Sequence, residues 1–153
     1  MTTRTALFIC VENACRSLIA EAIFNADPPP GWVAISAGTR PAREANPRTG
    51  PMLRELGLNL PHHPPQLLTA EMIDRARVRV TMGCLDDASC PARLKTMELR
   101  DWSLPDPATL NDEGFRQVRD RIQQLVRSLR AELVLSDRRL NGVAEDVAAG
   151  SAE

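Results

Sequence analysis

The chain of 153 residues has no tyrosine, only three phenylalanines and two tryptophans, and no apolar run long enough to cross a membrane. It also lacks a cluster of basic charge, because its 19 Lys and Arg residues are scattered among 20 Asp and Glu residues, for a net charge of −1. These absences exclude a membrane-spanning helix and leave no basic surface for nucleic acid or for a membrane. The N-terminus has no signal-peptide pattern, so we expect a cytoplasmic protein whose ligand is a small anion.

Cysteine is sparse as well, with four residues at positions 10, 15, 84 and 90. Neither pair has the tight Cys-x-x-Cys spacing of a zinc site, and the only histidines, His62 and His63, are adjacent and flanked by prolines. We therefore expect no metal and no cofactor. In a chain without a secretory signal, these cysteines are more consistent with thiol chemistry than with a static disulfide framework.

Apolar periodicity predicts strands that alternate with helices. Strands are expected at 6–9, 32–36, 78–82 and 97–99. Helices are predicted to begin near residues 16, 46 and 69, and a longer amphipathic helix covers 115–133. The alternation implies an α/β fold with a parallel sheet and helices on both faces, in which ligands bind at the carboxyl ends of the strands.

The length and the 43% hydrophobic content are those of one globular domain. We assign residues 1–135 to a single catalytic domain. From 136 to 153 the chain becomes small, polar and acidic and has no apolar stripe to bury, so a loosely ordered C-terminal tail is expected there.

The clearest chemical pattern is the segment CVENACRS, from Cys10 to Ser17, at the predicted junction of the first strand and the first helix. Free N–H groups of the helix start and amides of the turning loop converge there on one concavity that suits a tetrahedral oxyanion. Cys10 would lie at its base as a nucleophile, since the helix N-terminus and the Arg16 guanidinium both favour a thiolate. Arg16 can also bind two oxygens of the anion. The alternative is a buried structural cysteine with an unrelated arginine downstream.

Asp106, in the segment LPDPA, lies in a predicted loop at the same edge of the sheet. If Cys10 attacks an oxyanion, the departing oxygen needs a proton, and a carboxylic acid held between prolines can supply it. The alternative is an ordinary turn aspartate that precedes a proline.

Cys84 and Cys90 flank the short polar loop LDDAS, which follows the third predicted strand. Such a loop can bring two sulfurs together, because a disulfide needs Cα atoms within about 7 Å of each other. The pair therefore fits an exposed, reversible dithiol. The alternative is two unrelated loop cysteines.

The motif C-x-x-N-x-C-R-S at 10–17, the AEA at 20–22 and the DP at 106–107 together resemble the low-molecular-weight protein tyrosine phosphatase superfamily over residues 5–134. The two later cysteines, in a loop after VTM, make the chain most similar to the thioredoxin-coupled arsenate reductases. The resemblance implies a three-layer α/β fold with a four-stranded parallel sheet. It also implies that the whole first loop binds the anion, namely Cys10, Val11, Glu12, Asn13, Ala14, Cys15 and Arg16.

The same resemblance implies the first chemical step. Cys10 attacks arsenate that is held by the loop amides and Arg16, and Asp106 protonates the departing oxygen. Ser17 and Asn13 form hydrogen bonds around the thiolate and the loop. The product of this step is an adduct between the Cys10 sulfur and arsenic.

The later steps implied by the resemblance are thiol–disulfide exchanges. Cys84 attacks the Cys10 sulfur, which releases arsenite and leaves a disulfide between the two. Cys90 then attacks Cys84 and passes the disulfide to the surface, where thioredoxin or a similar thiol reductant reduces it.

The chain departs from a tyrosine phosphatase in having no tyrosine and in having Ala108 and Thr109 after the DP pair, where phosphatases carry aromatic residues. A phosphotyrosine ring would find no stacking wall there, whereas arsenate needs none. Glu12 occupies a loop position that is often glycine, and its carboxylate should weaken anion binding unless it points outward or meets an arginine.

Two other functions remain open on the sequence alone. One is a low-molecular-weight protein tyrosine phosphatase whose extra cysteines protect Cys10 by reversible oxidation. The other is a non-catalytic regulator that binds an anion or senses redox state. Because phosphate and arsenate are nearly isosteric, we expect weak aryl-phosphate hydrolysis even from a reductase.

Overall fold

The computed structural model describes residues 3–83 and 90–150, with side chains up to Asn141. Strands and helices alternate along these ranges, as the periodicity predicts. In chain order they are β1 (Arg4–Cys10), α1 (Arg16–Ala26), β2 (Trp32–Gly38), α2 (Thr49–Arg54), α3 (Ala70–Arg75), β3 (Val78–Thr81), α4 (Ala92–Lys95), β4 (Arg100–Asp101), a 3-10 turn (Pro107–Thr109) and α5 (Asp112–Gly150).

The four strands form one parallel sheet in the order β2-β1-β3-β4. Helices cover both of its faces, so the predicted α/β architecture is confirmed. The register pairs Cys10 with Gly38 and Ile9 with Thr81, which brings the carboxyl ends of the three longer strands to one edge. The loop that follows Cys10 therefore starts at the edge where parallel sheets bind ligands.

Apolar side chains fill the space on each side of the sheet. On one side α1, α2 and α5 pack on a core that includes Phe8, Phe24 and Phe115, all buried. On the other side α3 and α4 cover a smaller core formed by Leu7, Ile9, Ile73, Ala76 and Leu94. Each large side chain buried in this way contributes about 1.5–3 kcal/mol to folding. Strand β1 is apolar on both faces because it lies between the two cores.

Gly38 permits a close contact between the end of β2 and the loop after β1. A Cβ atom at this position would lie 2.4 Å from the carbonyl oxygen of Val11 and 3.0 Å from the amide nitrogen of Asn13. No side chain fits at those distances, so the loop can approach the strand only because residue 38 is a glycine.

The fourth strand differs in position from the sequence-based expectation. We expected it at 97–99, but the sheet pairs Arg100–Asp101 with β3. The short helix α4, which the periodicity does not reveal, ends just before residue 97, and the Met97 amide closes its last turn on Leu94. The apolar residues Met97 and Leu99 still contact the smaller core, but from the connection between α4 and β4.

The last helix extends well beyond the stripe that predicts it. We expected a loosely ordered tail from residue 136, whereas α5 continues in helical form to Gly150. Asp137 accounts for part of this, because its carboxylate pairs with the Arg4 guanidinium and accepts a hydrogen bond from Trp32 Nε1 at 3.2 Å. Arg4 in turn lies 4.7 Å above the centre of the Trp32 ring. No described helix is both long and apolar enough to span a membrane.

Truncation after Leu135 tests the proposed domain boundary and the Asp137 contacts together. We expect residues 1–135 to fold, because the buried stripe of α5 ends at Leu133, but with an unfolding free energy lower by about 1 kcal/mol, the scale of a well-formed Arg–carboxylate pair. Urea denaturation of the truncated chain, of Asp137→Ala and of the full chain measures this difference. Asp137→Ala alone should reproduce most of the loss. A truncated chain that does not fold would move the boundary past residue 135.

Candidate active site

Cys10 is the last residue of β1, and its sulfur is held from two directions. The amide of Asn13 donates to Cys10 Sγ at 3.1 Å, and Ser17 Oγ lies 2.8 Å from the same sulfur. The side chain is 3% exposed. Both neighbours can donate a hydrogen bond to a thiolate, and the N-terminus of α1 adds a positive field, so the site stabilises the ionised form of Cys10.

The carbonyl groups of the loop point outward into the segment that follows β2. Val11 O accepts from Arg40 N at 2.9 Å, Glu12 O from Ala42 N at 2.9 Å, and Ala14 O from Asn46 N at 3.0 Å. Thr49 Oγ1 also donates to Ala14 O, at 2.8 Å. The outer segment, from Thr39 to Thr49, thus satisfies the loop carbonyls one after another.

This outward bonding determines where the loop amides point. In a trans peptide the carbonyl and the N–H of the next residue point in opposite directions. Because the carbonyls of residues 11, 12 and 14 are directed outward, the N–H groups of residues 12, 13 and 15 are directed inward. The hydrogen bond from Asn13 N to Cys10 Sγ is in agreement with this geometry. The loop therefore presents amide donors to the space above the sulfur, as an oxyanion site requires.

The side chain of Asn13 ties the loop to its surroundings from within. Asn13 is fully buried and has a positive φ of 53°, a conformation that asparagine tolerates better than most residues. Its Nδ2 donates to Ser17 Oγ at 2.7 Å and to Ser36 Oγ at 2.9 Å, and its Oδ1 accepts from Gln66 N at 3.0 Å. These contacts fix the orientation of the amide and with it the sharp turn of the loop.

Arg16, in the first turn of α1, is anchored at the far side of the site. Its Nη1 donates to Leu104 O at 2.8 Å and to Met82 O at 3.3 Å, and the residue is only 9% exposed. The guanidinium also lines a cavity of about 470 Å³ that Cys10 and the loop enclose. A planar group held in this position can bind two oxygens of an anion without losing much side-chain entropy.

Asp106 lies at the mouth of the same cavity, as its place in the topology predicts. Its carboxylate accepts from Ala108 N at 3.0 Å and caps the 3-10 turn that follows. The side chain is exposed, so it can exchange protons with solvent as well as with a bound ligand. An acid in this place is suited to protonating a departing oxygen.

Arg48 holds the Asp106 segment in place, a role that the sequence does not suggest. It donates to Pro107 O at 3.1 Å and to Leu110 O at 2.8 Å, and its guanidinium lies 4.9 Å from the centre of the Phe115 ring. It therefore joins the segment before α2 to the turn that carries Asp106. The sequence contains 18 arginines, and nothing in it distinguishes Arg48 from the others. Its partners are main-chain carbonyls of residues that are distant in the sequence.

Cys15 differs from Cys10 although both belong to one loop. Burial raises the pKa of the Cys15 thiol to about 11, and a hydrogen bond with the Thr49 side chain offsets only part of that effect. At neutral pH Cys15 is therefore a thiol with little nucleophilic character. The structure distinguishes the two cysteines by environment, which their spacing alone does not.

We expected the Glu12 carboxylate to weaken anion binding unless it points outward or meets an arginine. Glu12 is exposed at the cavity mouth. The described residues lining this cavity include no aromatic side chain, in line with the absence of aromatics after the DP pair. Cys90 is half-buried and packs against the smaller core. Cys84 lies outside the described residues. The structure thus brings together Cys10, Ser17, Arg16 and Asp106, and the roles assigned to all six predicted catalytic residues stay predictions.

Comparison with known proteins agrees with this geometry. The family model for low molecular weight phosphotyrosine protein phosphatase matches residues 5–139. Arsenate reductase 1 of Staphylococcus epidermidis is 30% identical over 126 residues, which cover 82% of this chain and 95% of that protein.

Solved structures include both reductases and phosphatases. A thioredoxin-dependent arsenate reductase from Corynebacterium glutamicum is 32% identical with a TM-score of 0.73, and the match covers 88% of this chain and 64% of that one. The YwlE arginine phosphatase from Geobacillus stearothermophilus is 25% identical with a TM-score of 0.76, over 89% and 96% of the two chains.

Ser17→Ala tests the hydrogen bond to the Cys10 sulfur. A hydrogen bond to a charged group contributes about 1.5–3 kcal/mol, so we expect iodoacetamide to alkylate Cys10 about tenfold more slowly at neutral pH. Mass spectrometry of the Cys10 peptide over time gives the rate. Cys15 is an internal control, since it should react slowly in both proteins. An unchanged Cys10 rate would show that Ser17 does not stabilise the thiolate.

Proposed function

Because the chain belongs to the low molecular weight phosphotyrosine protein phosphatase family, we propose that it is an arsenate reductase that uses Cys10, Cys84 and Cys90 in sequence. The observation that carries the proposal is the site itself: a nucleophilic thiol beneath inward-pointing amides, in a cavity with no aromatic residue among its described lining. Such a cavity suits a small tetrahedral oxyanion better than an aryl phosphate. The arsenate reductase relatives support the same substrate class.

In the first step the Cys10 thiolate attacks the arsenic atom, and a sulfur–arsenic bond replaces one arsenic–oxygen bond. The loop amides and Arg16 hold the remaining oxygens as charge develops on them. Asp106 protonates the departing oxygen, which leaves as water. Ser17 stabilises the thiolate before attack. Arsenic remains in its +5 state at this point.

The reduction occurs in the second step. The Cys84 thiolate attacks the Cys10 sulfur, and the electron pair of the sulfur–arsenic bond passes to arsenic, which leaves as arsenite. Two thiols have then been oxidised to the Cys10–Cys84 disulfide, which balances the two electrons gained by arsenic. Cys90 attacks Cys84 and frees Cys10. Thioredoxin, or another dithiol of similar potential in the cytoplasm, reduces the resulting Cys84–Cys90 disulfide.

Cys84→Ser separates this mechanism from a phosphatase function. The variant should lose arsenate-dependent oxidation of thioredoxin, because no thiol attacks the adduct, yet keep the weak hydrolysis of p-nitrophenyl phosphate that Cys10 supports alone. Consumption of NADPH through thioredoxin reductase measures the first activity and release of p-nitrophenol the second. Cys10→Ser, as a control, should lose both. Arsenate turnover that survives in Cys84→Ser would contradict the relay.

Cys90→Ser should stop the reaction one step later. We expect a single arsenate-dependent turnover that leaves a Cys10–Cys84 disulfide, which mass spectrometry of non-reduced peptides detects. The unaltered protein, treated in the same way without thioredoxin, should instead contain a Cys84–Cys90 disulfide. If neither protein forms an arsenate-dependent disulfide or arsenite, the relay is contradicted and the phosphatase with protective cysteines is favoured.

Asp106→Asn tests the acid. Loss of a general acid costs about a hundredfold or more in rate, so kcat for p-nitrophenyl phosphate should fall by that factor. Asp120→Asn, an exposed aspartate on α5, is the matched control and should leave kcat unchanged. A decrease of less than threefold in Asp106→Asn would assign the proton transfer to another group.

A further inference from the structure

The turn that carries Asp106, residues 105–110, is shaped by its own hydrogen bonds but is not positioned by them. The Asp106 carbonyl oxygen accepts from Thr109 N at 3.2 Å and from Thr109 Oγ1 at 2.8 Å, and the Asp106 carboxylate accepts from Ala108 N at 3.0 Å. In the described part of the chain, the hydrogen bonds that join this turn to another segment are those of Arg48.

The Arg48 guanidinium spans the turn on the side away from the Asp106 carboxylate. Its Nη2 donates to Pro107 O at 3.1 Å and to Ala108 O at 3.4 Å, while its Nη1 donates to Leu110 O at 2.8 Å. A planar guanidinium presents its donors in a fixed fork, so several carbonyls bound to it at once are held in one arrangement. The position of the Asp106 main chain is therefore tied to the position of Arg48.

The residues on both sides of Arg48 hold the Cys10 loop. Asn46 N donates to Ala14 O at 3.0 Å, and Thr49 Oγ1 donates to the same carbonyl oxygen at 2.8 Å. The Arg48 amide in turn donates to Asn46 Oδ1 at 3.0 Å, which fixes the backbone between them. One short stretch, residues 46–49, thus binds the nucleophile loop through its neighbours of Arg48 and the Asp106 turn through Arg48 itself.

We propose that Arg48 is a positioning residue for proton transfer from Asp106. The proposal rests on the proposed function, since it takes Asp106 as the general acid and Cys10 as the nucleophile. Arg48 does not touch the reacting atoms and keeps its own protons. It sets the distance between the Asp106 carboxyl and the oxygen that leaves as Cys10 attacks. A general acid has to lie within hydrogen-bond reach of that oxygen, and a displacement of about 1 Å can cost on the order of a hundredfold in rate.

Two other roles for Arg48 make different predictions. Its Nη1 lies 3.3 Å from Asp112 Oδ1, but the Asp112 side chain is 64% exposed, and an exposed ion pair of this kind contributes little. Its guanidinium also packs 4.9 Å from the centre of the Phe115 ring. A role confined to either contact would change stability. It would not change the protonation of one leaving group more than that of another.

The experiment compares two aryl phosphates that differ in their need for an acid. Phenolate is a poor leaving group and requires a proton, whereas dinitrophenolate leaves without one. Arg48→Ala should lower kcat/KM for phenyl phosphate by about tenfold or more, because the acid is displaced, and lower that for dinitrophenyl phosphate by less than about twofold. Arg130→Ala is the matched control and should change neither value. Arg130 on α5 also bonds to a carbonyl oxygen and a carboxylate, both of Asp27.

Conservative variants separate positioning from packing. Arg48→Met retains an apolar stem against Phe115 but has no donor, so it should be as slow with phenyl phosphate as Arg48→Ala. Arg48→Lys retains donors without the planar fork and should recover part of the loss. A packing role predicts the reverse order, with Met the better substitute.

A double variant tests whether Arg48 acts through Asp106. In the Asp106→Asn background no acid remains to be positioned, so adding Arg48→Ala should lower kcat/KM for phenyl phosphate by less than about twofold further. Two independent effects would instead multiply.

Two readouts do not depend on turnover. In Arg48→Ala the amides of residues 105–110 should exchange hydrogen faster, as measured by mass spectrometry of the peptide that contains them, because their anchor is lost. Alkylation of Cys10 by iodoacetamide should stay within about twofold of the unaltered protein, since Asn46 and Thr49 still hold the loop at Ala14.

Equal losses for the two esters in Arg48→Ala, or a full further loss in the Asp106→Asn background, would overturn the proposal. So would unchanged exchange at residues 105–110. Should Arg48→Ala not fold, the comparison of Arg48→Met with Arg48→Lys decides in the same way. Ester hydrolysis needs neither arsenate nor thioredoxin, so a failed reductase assay would leave this result intact. An unimpaired Arg48→Ala beside an impaired Asp106→Asn would reject the positioning role and leave the proposed function standing.

Discussion

The buried amide of Asn13 determines the geometry on which the rest of the site depends. Its backbone turns the loop through a positive φ of 53°, its amide hydrogen meets the Cys10 sulfur, and its side chain joins α1, β2 and the segment at Gln66. A turn of this kind costs on the order of 1 kcal/mol or more for a residue other than glycine, so it persists only where surrounding contacts compensate. Here four hydrogen bonds, three donated by Asn13 and one accepted by it, provide that compensation.

The outer segment completes the loop from the opposite side. Successive amides of Arg40, Ala42 and Asn46 satisfy carbonyls that would otherwise compete with the anion for space and charge. This close contact is possible because Gly38 has no side chain. The proposed anion site is therefore formed by two layers of backbone. A substitution in the outer layer would act on the inner one through these hydrogen bonds.

The placement of several candidate site residues was predictable from the sequence because it depends on local structure and topology. Cys10 ends a strand that is apolar on both faces, Arg16 begins a helix, and the topology carries Asp106 to the same edge of the sheet. What the sequence did not reveal depends on contacts between distant segments. His63 meets Glu21 across 42 positions, and Arg48 reaches the Asp106 turn across about 60. Periodicity contains no information about such pairs.

The differences between the predicted and the observed secondary structure also arise from contacts between distant segments. The apolar residues at 97–99 satisfy the pattern of a strand, yet they pack on the smaller core from a connection, because the preceding residues form α4 instead of a loop. The segment after residue 135 lacks an apolar stripe and so reads as a tail. Its helix is favoured by residues such as Ala, Leu, Arg and Glu and by the contacts of Asp137 with Arg4 and Trp32.

The contrast between Cys10 and Cys15 shows why orientation matters more than residue type in this loop. Both thiols are buried and lie five positions apart. Cys15 faces Thr49 and the core, and burial keeps it protonated. Cys10 is equally hidden, but Ser17 and the Asn13 amide take the place of water around its sulfur. Burial that a single side-chain hydrogen bond does not offset suppresses a thiolate, whereas burial beside two fixed donors favours it and would remove the cost of rearranging solvent in an attack by the sulfur. The line of hydrogen bonds from Ser17 through Asn13 to Ser36 is therefore part of the environment of the Cys10 sulfur, because it orients the two groups that contact this sulfur.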